Sequence, residues 1–177
     1  VDGGGGLLQG LGLTPMVSGK RLLRPFIAND LVSLTAITGP PPVLPPLTVL
    51  LDVTTPLTDA ARVFGPQKGL AADEIAPTAA AHARLAGVLN DWRARHGLPA
   101  LPPDLPGGGA AGGLGFALAA LGATLRPGAA HFATLTGLPA AIEAADCVVL
   151  GEGRLDPTSY QGKVAGVVSR LARQAGK

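Results

Sequence analysis

Val148-Val149-Leu150-Gly151-Glu152-Gly153-Arg154-Leu155-Asp156, followed by Gly162-Lys163, is the stretch from which the fold is read. A short apolar run, Cys147 to Leu150, stops at glycines, and charged side chains follow at once. This is the pattern of a β-strand delivering a loop to the edge of an open α/β sheet, where ligands bind outside the carboxyl ends of the strands. Gly151 and Gly153 let backbone come close to a ligand, and Glu152, Arg154 and Asp156 are placed to face it. Lys163 falls near the start of a helix, where unpaired N–H groups and the helix dipole favour a phosphate. An anion-binding loop, two carboxylates and a lysine together point to phosphoryl transfer. The alternative is a tight turn whose charges are merely solvated.

Composition narrows the function classes. A chain of 177 residues suits one domain or parts of two. The formal net charge is only +2 and the arginines are dispersed, which argues against a nucleic-acid partner. Aromatic residues make up 3% of the chain, too few to build a stacking platform for single strands. The lone cysteine, Cys147, excludes an internal disulfide and a multi-cysteine metal site. Because it opens an apolar run, it reads as a buried structural thiol. His82, His96 and His131 lack metal-ligand spacing and read as surface or core histidines. The uncharged stretches 31–51 and 107–125 are broken by prolines and glycines respectively, so neither reads as a membrane span. The start shows no basic segment followed by an apolar run, and the expected location is the cytoplasm.

Outward from the opening stretch, Leu47 to Val53 is the strongest strand candidate. Its continuous apolar run predicts burial on both faces. A carboxylate near the end of such a strand, Asp52, is costly unless partnered or near the surface. It reads either as a functional group or as a cap on the turn Thr54-Thr55-Pro56. Val1 to Gly6 is a glycine run leading into a helical face of Leu7, Leu8 and Leu11, while residues 20–46 read as irregular with a proline cluster. Asp73 is a candidate cap for a helix whose stripe is Leu85, Val88, Leu89 and Trp92 and which ends at Gly97. A second glycine-rich loop, Gly107 to Gly115, opens a helix through Ala120. Such a loop either cradles phosphate with backbone N–H groups or simply packs helix against sheet. A short helix is predicted over 138–145, and the last helix carries Val164, Val167, Val168 and Leu171 on one face.

Taken in order, these segments resemble the bacterial glycerate kinase family. The residues that carry the resemblance are Asp2-Gly3-Gly4 with Leu8-Gln9, Asp52-Val53-Thr54 with Pro56-Leu57, and Phe64-Gly65-Pro66-Gln67-Lys68-Gly69. They continue with Gly107-Gly108-Gly109-Ala110-Ala111-Gly112-Gly113, then Gly151 through Asp156 with Gly162-Lys163. The resemblance covers almost the whole chain. It implies an α/β fold: most of a restriction-enzyme-like domain over 1–145, followed by the start of a flavodoxin-like parallel-sheet segment over 146–177. It also implies that the chain is the central portion of such an enzyme and is inactive by itself, with a non-catalytic remnant, at most anion-binding, as the alternative.

The activity implied is transfer of the γ-phosphate of ATP to a hydroxyl of glycerate, with Mg²⁺ as the companion ion. No nucleic acid or membrane is involved, and a homo-oligomer is left open. Asp52, Asp156 and Lys163 are the catalytic candidates, with Asp156 also a metal ligand; Asp52 and Asp156 share the roles of base and Mg²⁺ ligand. Asp2, Arg154 and Lys68 are the substrate-binding candidates. Gly107, Gly108, Gly109, Gly112, Gly113, Gly151, Glu152 and Gly153 are the phosphate-binding ones. Asp52, Lys68, the 107–113 loop and the 152–156 turn are expected around one cleft. The chain departs from the family pattern at Leu51, Thr55, Thr158 and Ala165, and in a shortened loop between Leu57 and Val63.

Overall fold

The computed structural model describes residues 2–153 and 164–177. The strands in chain order are β1 (Thr14–Val17), β2 (Lys20–Arg21), β3 (Leu34–Thr38), β4 (Thr48–Leu51) and β5 (Thr124–Pro127). The helices are α1 (Gly5–Gly10), α2 (Ala60–Phe64), α3 (Ile75–Arg95), α4 (Leu114–Ala120), α5 (Gly128–Leu135), α6 (Leu138–Ala144) and α7 (Val164–Gln174). The fold is α/β, as expected. Two compact units divide it: unit 1 is Val1–Val49 with Thr54–Leu125, and unit 2 is Leu50–Val53 with Arg126–Lys177. Strands β4 and β5, which pair with each other, are where the chain passes between units.

Unit 1 is organised by α3. Leu85, Leu89 and Trp92 are fully buried and Val88 nearly so, as their spacing predicts. They join Leu8, Leu34, Ile37, Leu57 and Phe116 in one core. Each such side chain stabilises the fold by roughly 1.5–3 kcal/mol. The Trp92 indole N–H donates to the Gly39 carbonyl at 2.9 Å, so the largest core residue buries no unpaired polar atom. Arg93 is also buried, and its guanidinium donates to the carbonyls of Pro99, Ala119 and Ala120. The last two end α4, where the helix dipole favours a cation. The helix closes at Gly97, whose φ is +70°. At its other end the cap differs from expectation. A 3₁₀ turn over Ala72–Glu74 precedes α3, and Glu74, not Asp73, accepts the Ala71 N–H at 2.8 Å.

The sheet of unit 1 is antiparallel, in the order β2-β1-β3, and corrects the reading of 20–46 as irregular. Its strands are too short for a visible alternation, and the central one contains Pro15. A proline there gives no N–H to the ladder, but its carbonyl is used by the Leu22 N–H at 3.1 Å. Ser18 and Gly19 join β1 to β2 with φ of +50° and +76°, the positive pair that a two-residue hairpin turn needs. Next to the sheet, Asp30 is buried. It accepts from Arg24 at 2.6 Å and from the Ile27 N–H at 2.9 Å, which holds its carboxyl below the usual range. The segment 57–63, read as a shortened loop, is a 3₁₀ turn over Leu57–Asp59 running into α2.

Unit 2 packs α5, α6 and α7 together around Ile142, Val168 and Ala172, with Leu138 and Leu171 partly buried beside them. Gly128 opens α5 where a Cβ would stand 3.1 Å from the Leu51 carbonyl oxygen. Three expectations are corrected here. The strand over 47–53 is confined to Thr48–Leu51 and alternates between exposed and half-buried, because a single neighbouring strand covers it among the described residues. Cys147 to Leu150 forms no strand, since no neighbour pairs with it among the described residues. Cys147 is exposed for the same reason, not a buried thiol. In α7, Val167 and Val168 are buried as expected, whereas Val164 is 64% exposed.

Candidate active site

The acidic candidates come together in unit 2. Asp52 is exposed in the bend just after β4, and Glu152 is half-buried in the loop after Leu150. Both line one cavity of about 730 Å³ whose remaining walls are mostly apolar, among them Leu50, Phe132, Leu138 and Val167. Among the described residues no protein donor reaches either carboxylate. Two carboxylates about a hundred residues apart in sequence therefore line the same space, with no donor on them among the described residues. A carboxylate cannot receive a phosphate directly at neutral pH, as charges of like sign repel. Glu152 therefore suits a cation or a hydroxyl rather than the phosphate contact expected of it. Gly151 and Gly153 are exposed with open space around them. Arg154, Asp156 and Lys163 lie outside the described residues.

Lys68 belongs to unit 1. It ends a 3₁₀ turn over Pro66–Lys68, closed by Gly69 at φ +82°, and it is exposed. It lines a different cavity, of about 550 Å³, with Asp73 and His82. The sequence reading treated His82 as ordinary. Its signal was its place at i−3 and i−7 from Leu85 and Leu89, on the buried stripe of α3. The ring is 1% exposed, and neither nitrogen finds a hydrogen-bond partner. Burial holds its pKa below the usual imidazole value.

The other expected contacts are taken up by the fold. Asp2 accepts the Gly4 N–H at 3.0 Å with one oxygen and the Gly6 N–H at 2.8 Å with the other, clamping the start of α1. Six N–H groups of the 107–113 loop have backbone acceptors within unit 1. Gly107 donates to Thr54, Gly109 to Thr55, Gly108 to Leu105, Ala110 to Gly107, Gly112 to Gly109 and Gly113 to Ala110. The loop lines neither cavity. Its glycines serve close packing instead: a Cβ on Gly109 would lie 2.5 Å from the Pro56 carbonyl oxygen, and one on Gly113 2.9 Å from the Gly3 Cα. Of the four groups expected around one cleft, Asp52 and Glu152 share a cavity, Lys68 lines another, and the glycine loop packs closely against Pro56 and Gly3.

Comparison with known proteins decides the family. The profile of the glycerate kinase family matches residues 1–177. The chain belongs to the glycerate kinase family. It is 36% identical over 181 residues to the glycerate 2-kinase of Escherichia coli K12, an alignment covering 98% of this chain and 46% of that protein. Against the glycerate kinase of Halalkalibacterium halodurans it is 31% identical over 186 residues, covering 99% and 47%. A solved structure from Salmonella typhimurium LT2, described as a glycerate kinase 2, superimposes with a TM-score of 0.72 at 35% identity, covering 99% of this chain and 47% of that one. The chain thus spans about half the length of these glycerate kinase relatives. No helix among the described residues is long and apolar enough to cross a membrane.

Proposed function

We propose that this chain contributes to a kinase that transfers the γ-phosphate of ATP to a hydroxyl of glycerate. The observation that carries the reading is that Asp52 and Glu152, in a chain of the glycerate kinase family, line one cavity with no hydrogen-bond donor on either carboxylate among the described residues. Phosphoryl transfer needs positioned phosphates, neutralised charge and a group that orients the attacking hydroxyl. Asp52 serves the last need by accepting the hydroxyl proton. One or two carboxylates with substrate phosphates are a usual Mg²⁺ environment. Glu152 fits that donor set, and Asp156 joins it on the family resemblance. The ion would neutralise charge on the phosphates. Lys163 and Lys68 act as point charges toward phosphate, and Arg154 grips the glycerate carboxylate through paired hydrogen bonds. We assign the protein to the cytoplasm on the same resemblance.

The roles separate in kinetics of the protein at its full natural length. Arg154→Ala removes a contact made equally to substrate and transition state, so KM for glycerate rises while KM for ATP stays. Lys163→Ala lowers kcat by about 10²–10³, the scale for losing one preorganised donor. An Arg154→Ala effect confined to ATP overturns the assignment.

A further inference from the structure

The unit 1 cavity is lined by His82, whose two ring nitrogens are buried with no hydrogen-bond partner among the described residues. A polar group in that state costs free energy that an apolar residue at the same place on α3 would avoid. The walls around it differ in strength. α3 is anchored in the core by Leu85, Leu89 and Trp92. Another wall is the segment 66–74, which contributes Lys68, Leu70, Asp73 and Glu74. Every residue of that segment is exposed except Leu70, which is half-buried. Leu70 rests on Gly65, where a Cβ would stand 2.8 Å from its Cδ2. The segment's backbone bonds are local. The N–H groups of Lys68 and Leu70 donate to the Gly65 carbonyl, that of Gly69 to Pro66 and that of Glu74 to Ala71. None of these four ties it to α3.

We propose that 66–74 is an acid-sensitive strap, which stays closed while the His82 imidazole is neutral and lifts when that ring takes a proton. In the closed form the ring nitrogens are out of reach of solvent, so the proton arrives only on opening. A neutral imidazole carries one donor and one acceptor, whereas the imidazolium carries two donors and a charge. Burying that charge without an acceptor costs far more than burying the neutral ring. The wall that yields is the one with least buried surface to lose, and that is the strap.

The charges on the surrounding elements leave the imidazolium without a counter-ion among the described residues. Lys68, Asp73 and Glu74 are exposed, and Glu74 already accepts the Ala71 N–H. Asp30, in the turn before β3, is committed to Arg24, and Asp59, ahead of α2, pairs with Arg62. Asp2 accepts from Gly4 and Gly6. β3 and α4 carry no ionisable side chain, and Arg84, the charge next along α3, is exposed. The sign follows from linkage. Burial holds the closed-form imidazole below its usual value near 6.5, and opening restores that value. Opening is therefore independent of this group above about pH 6.5 and becomes easier by up to about tenfold per pH unit below it, one proton being taken up each time. The strap carries Lys68, so the phosphate contact given to that lysine by the kinase reading is withdrawn as pH falls. That consequence rests on the kinase reading; the strap does not.

Amide hydrogen exchange tests this in the protein at its full natural length, followed from about pH 8 to about pH 5 and corrected for the intrinsic rate. The N–H groups of Lys68, Gly69 and Leu70 report the strap, and those of Leu89 and Trp92 report the core. Strap amides should be less protected than core amides throughout, and their protection should fall by up to about tenfold per pH unit below about pH 6.5. His82→Leu should abolish that fall. Leu70→Ala should lower strap protection at every pH and keep the fall. Strap protection that is flat in the natural protein overturns the proposal, as does a fall that persists in His82→Leu. A fall confined to the core amides overturns it too, because His82 would then act in global unfolding alone. The natural protein's own profile needs no variant, so the outcome does not depend on how a substitution folds. If the strap responds as expected but glycerate is not phosphorylated, the strap stands and only the consequence for Lys68 fails.

Discussion

Unit 1 and unit 2 spend their apolar residues in opposite ways. In unit 1 the large side chains, Trp92, Phe116, Leu8, Leu85 and Leu89, are completely buried in one cluster. The polar groups beside them, Asp30, Arg93 and the Trp92 indole, are paired. In unit 2 the buried cluster is only Ile142, Val168 and Ala172, while Phe132 is 61% exposed, Leu135 69% and Val149 92%. The carboxylates Asp52 and Glu152, which have no donor among the described residues, lie in this second unit. Unit 1 thus pairs its buried polar side chains except His82, while unit 2 leaves large apolar side chains exposed.

Four measurements break or sharpen that contrast. The largest effect is expected at Trp92. Trp92→Ala should cost about 3–5 kcal/mol in denaturant unfolding, because it leaves a cavity and an unpaired Gly39 carbonyl. A loss below about 1 kcal/mol would mean that α3 does not organise unit 1. Next is Gly109→Ala, whose added methyl meets backbone, not a movable side chain. It should cost about 1–3 kcal/mol by overpacking, and an unchanged midpoint would leave the loop free for another role. Ile142→Val in unit 2 should cost less, about 0.5–1.5 kcal/mol.

The smallest effect is a pH slope. His82 is held neutral below its usual pKa by burial, so the unfolded chain takes up the proton first as pH falls. Stability is therefore full above the unfolded imidazole value, near 6.5, and declines as pH drops from there toward the lowered native value. His82→Leu should flatten that slope. Asp30, lowered by its bond to Arg24, has the same sign in a more acidic window: its stabilisation is present above the unfolded carboxyl value and is lost as pH falls through the native one. A stability curve in the two windows separates the groups, and an unchanged slope near pH 6 in His82→Leu would contradict the burial of the ring.

How far the sequence reached follows from what each feature depends on. The α3 stripe was legible because burial on one face repeats at helical spacing, and Leu85, Val88, Leu89 and Trp92 obey it. The family resemblance was legible in the glycine-flanked motifs, and the whole-chain match agrees with it. The small antiparallel sheet was not, because Pro15 interrupts its central strand and pairing is a long-range event. Cys147 and the 47–53 run misled because apolar sequence shows a capacity for burial, and burial itself needs a neighbour. The glycine loop was legible as a loop but not in its role. Glycine permits both an anion cradle and close packing, and the bonds from Gly107 and Gly109 to the Thr54 and Thr55 carbonyls are long-range contacts that no local pattern announces. The His82 cavity needed three dimensions, since a lone histidine in an alanine-rich helix carries no motif.

The central claim is that a glycerate kinase uses the Asp52 carboxylate to orient its acceptor. The most direct measurement is ATP-dependent phosphorylation of glycerate by the protein at its full natural length, compared with its Asp52→Asn variant. The account predicts glycerate-dependent turnover in the natural protein. In the variant kcat should fall by about 10²–10⁴, the scale of general acid–base assistance, with the unfolding midpoint unchanged because Asp52 is exposed. Turnover that ignores glycerate, or an Asp52→Asn enzyme as fast as the natural one, would contradict it.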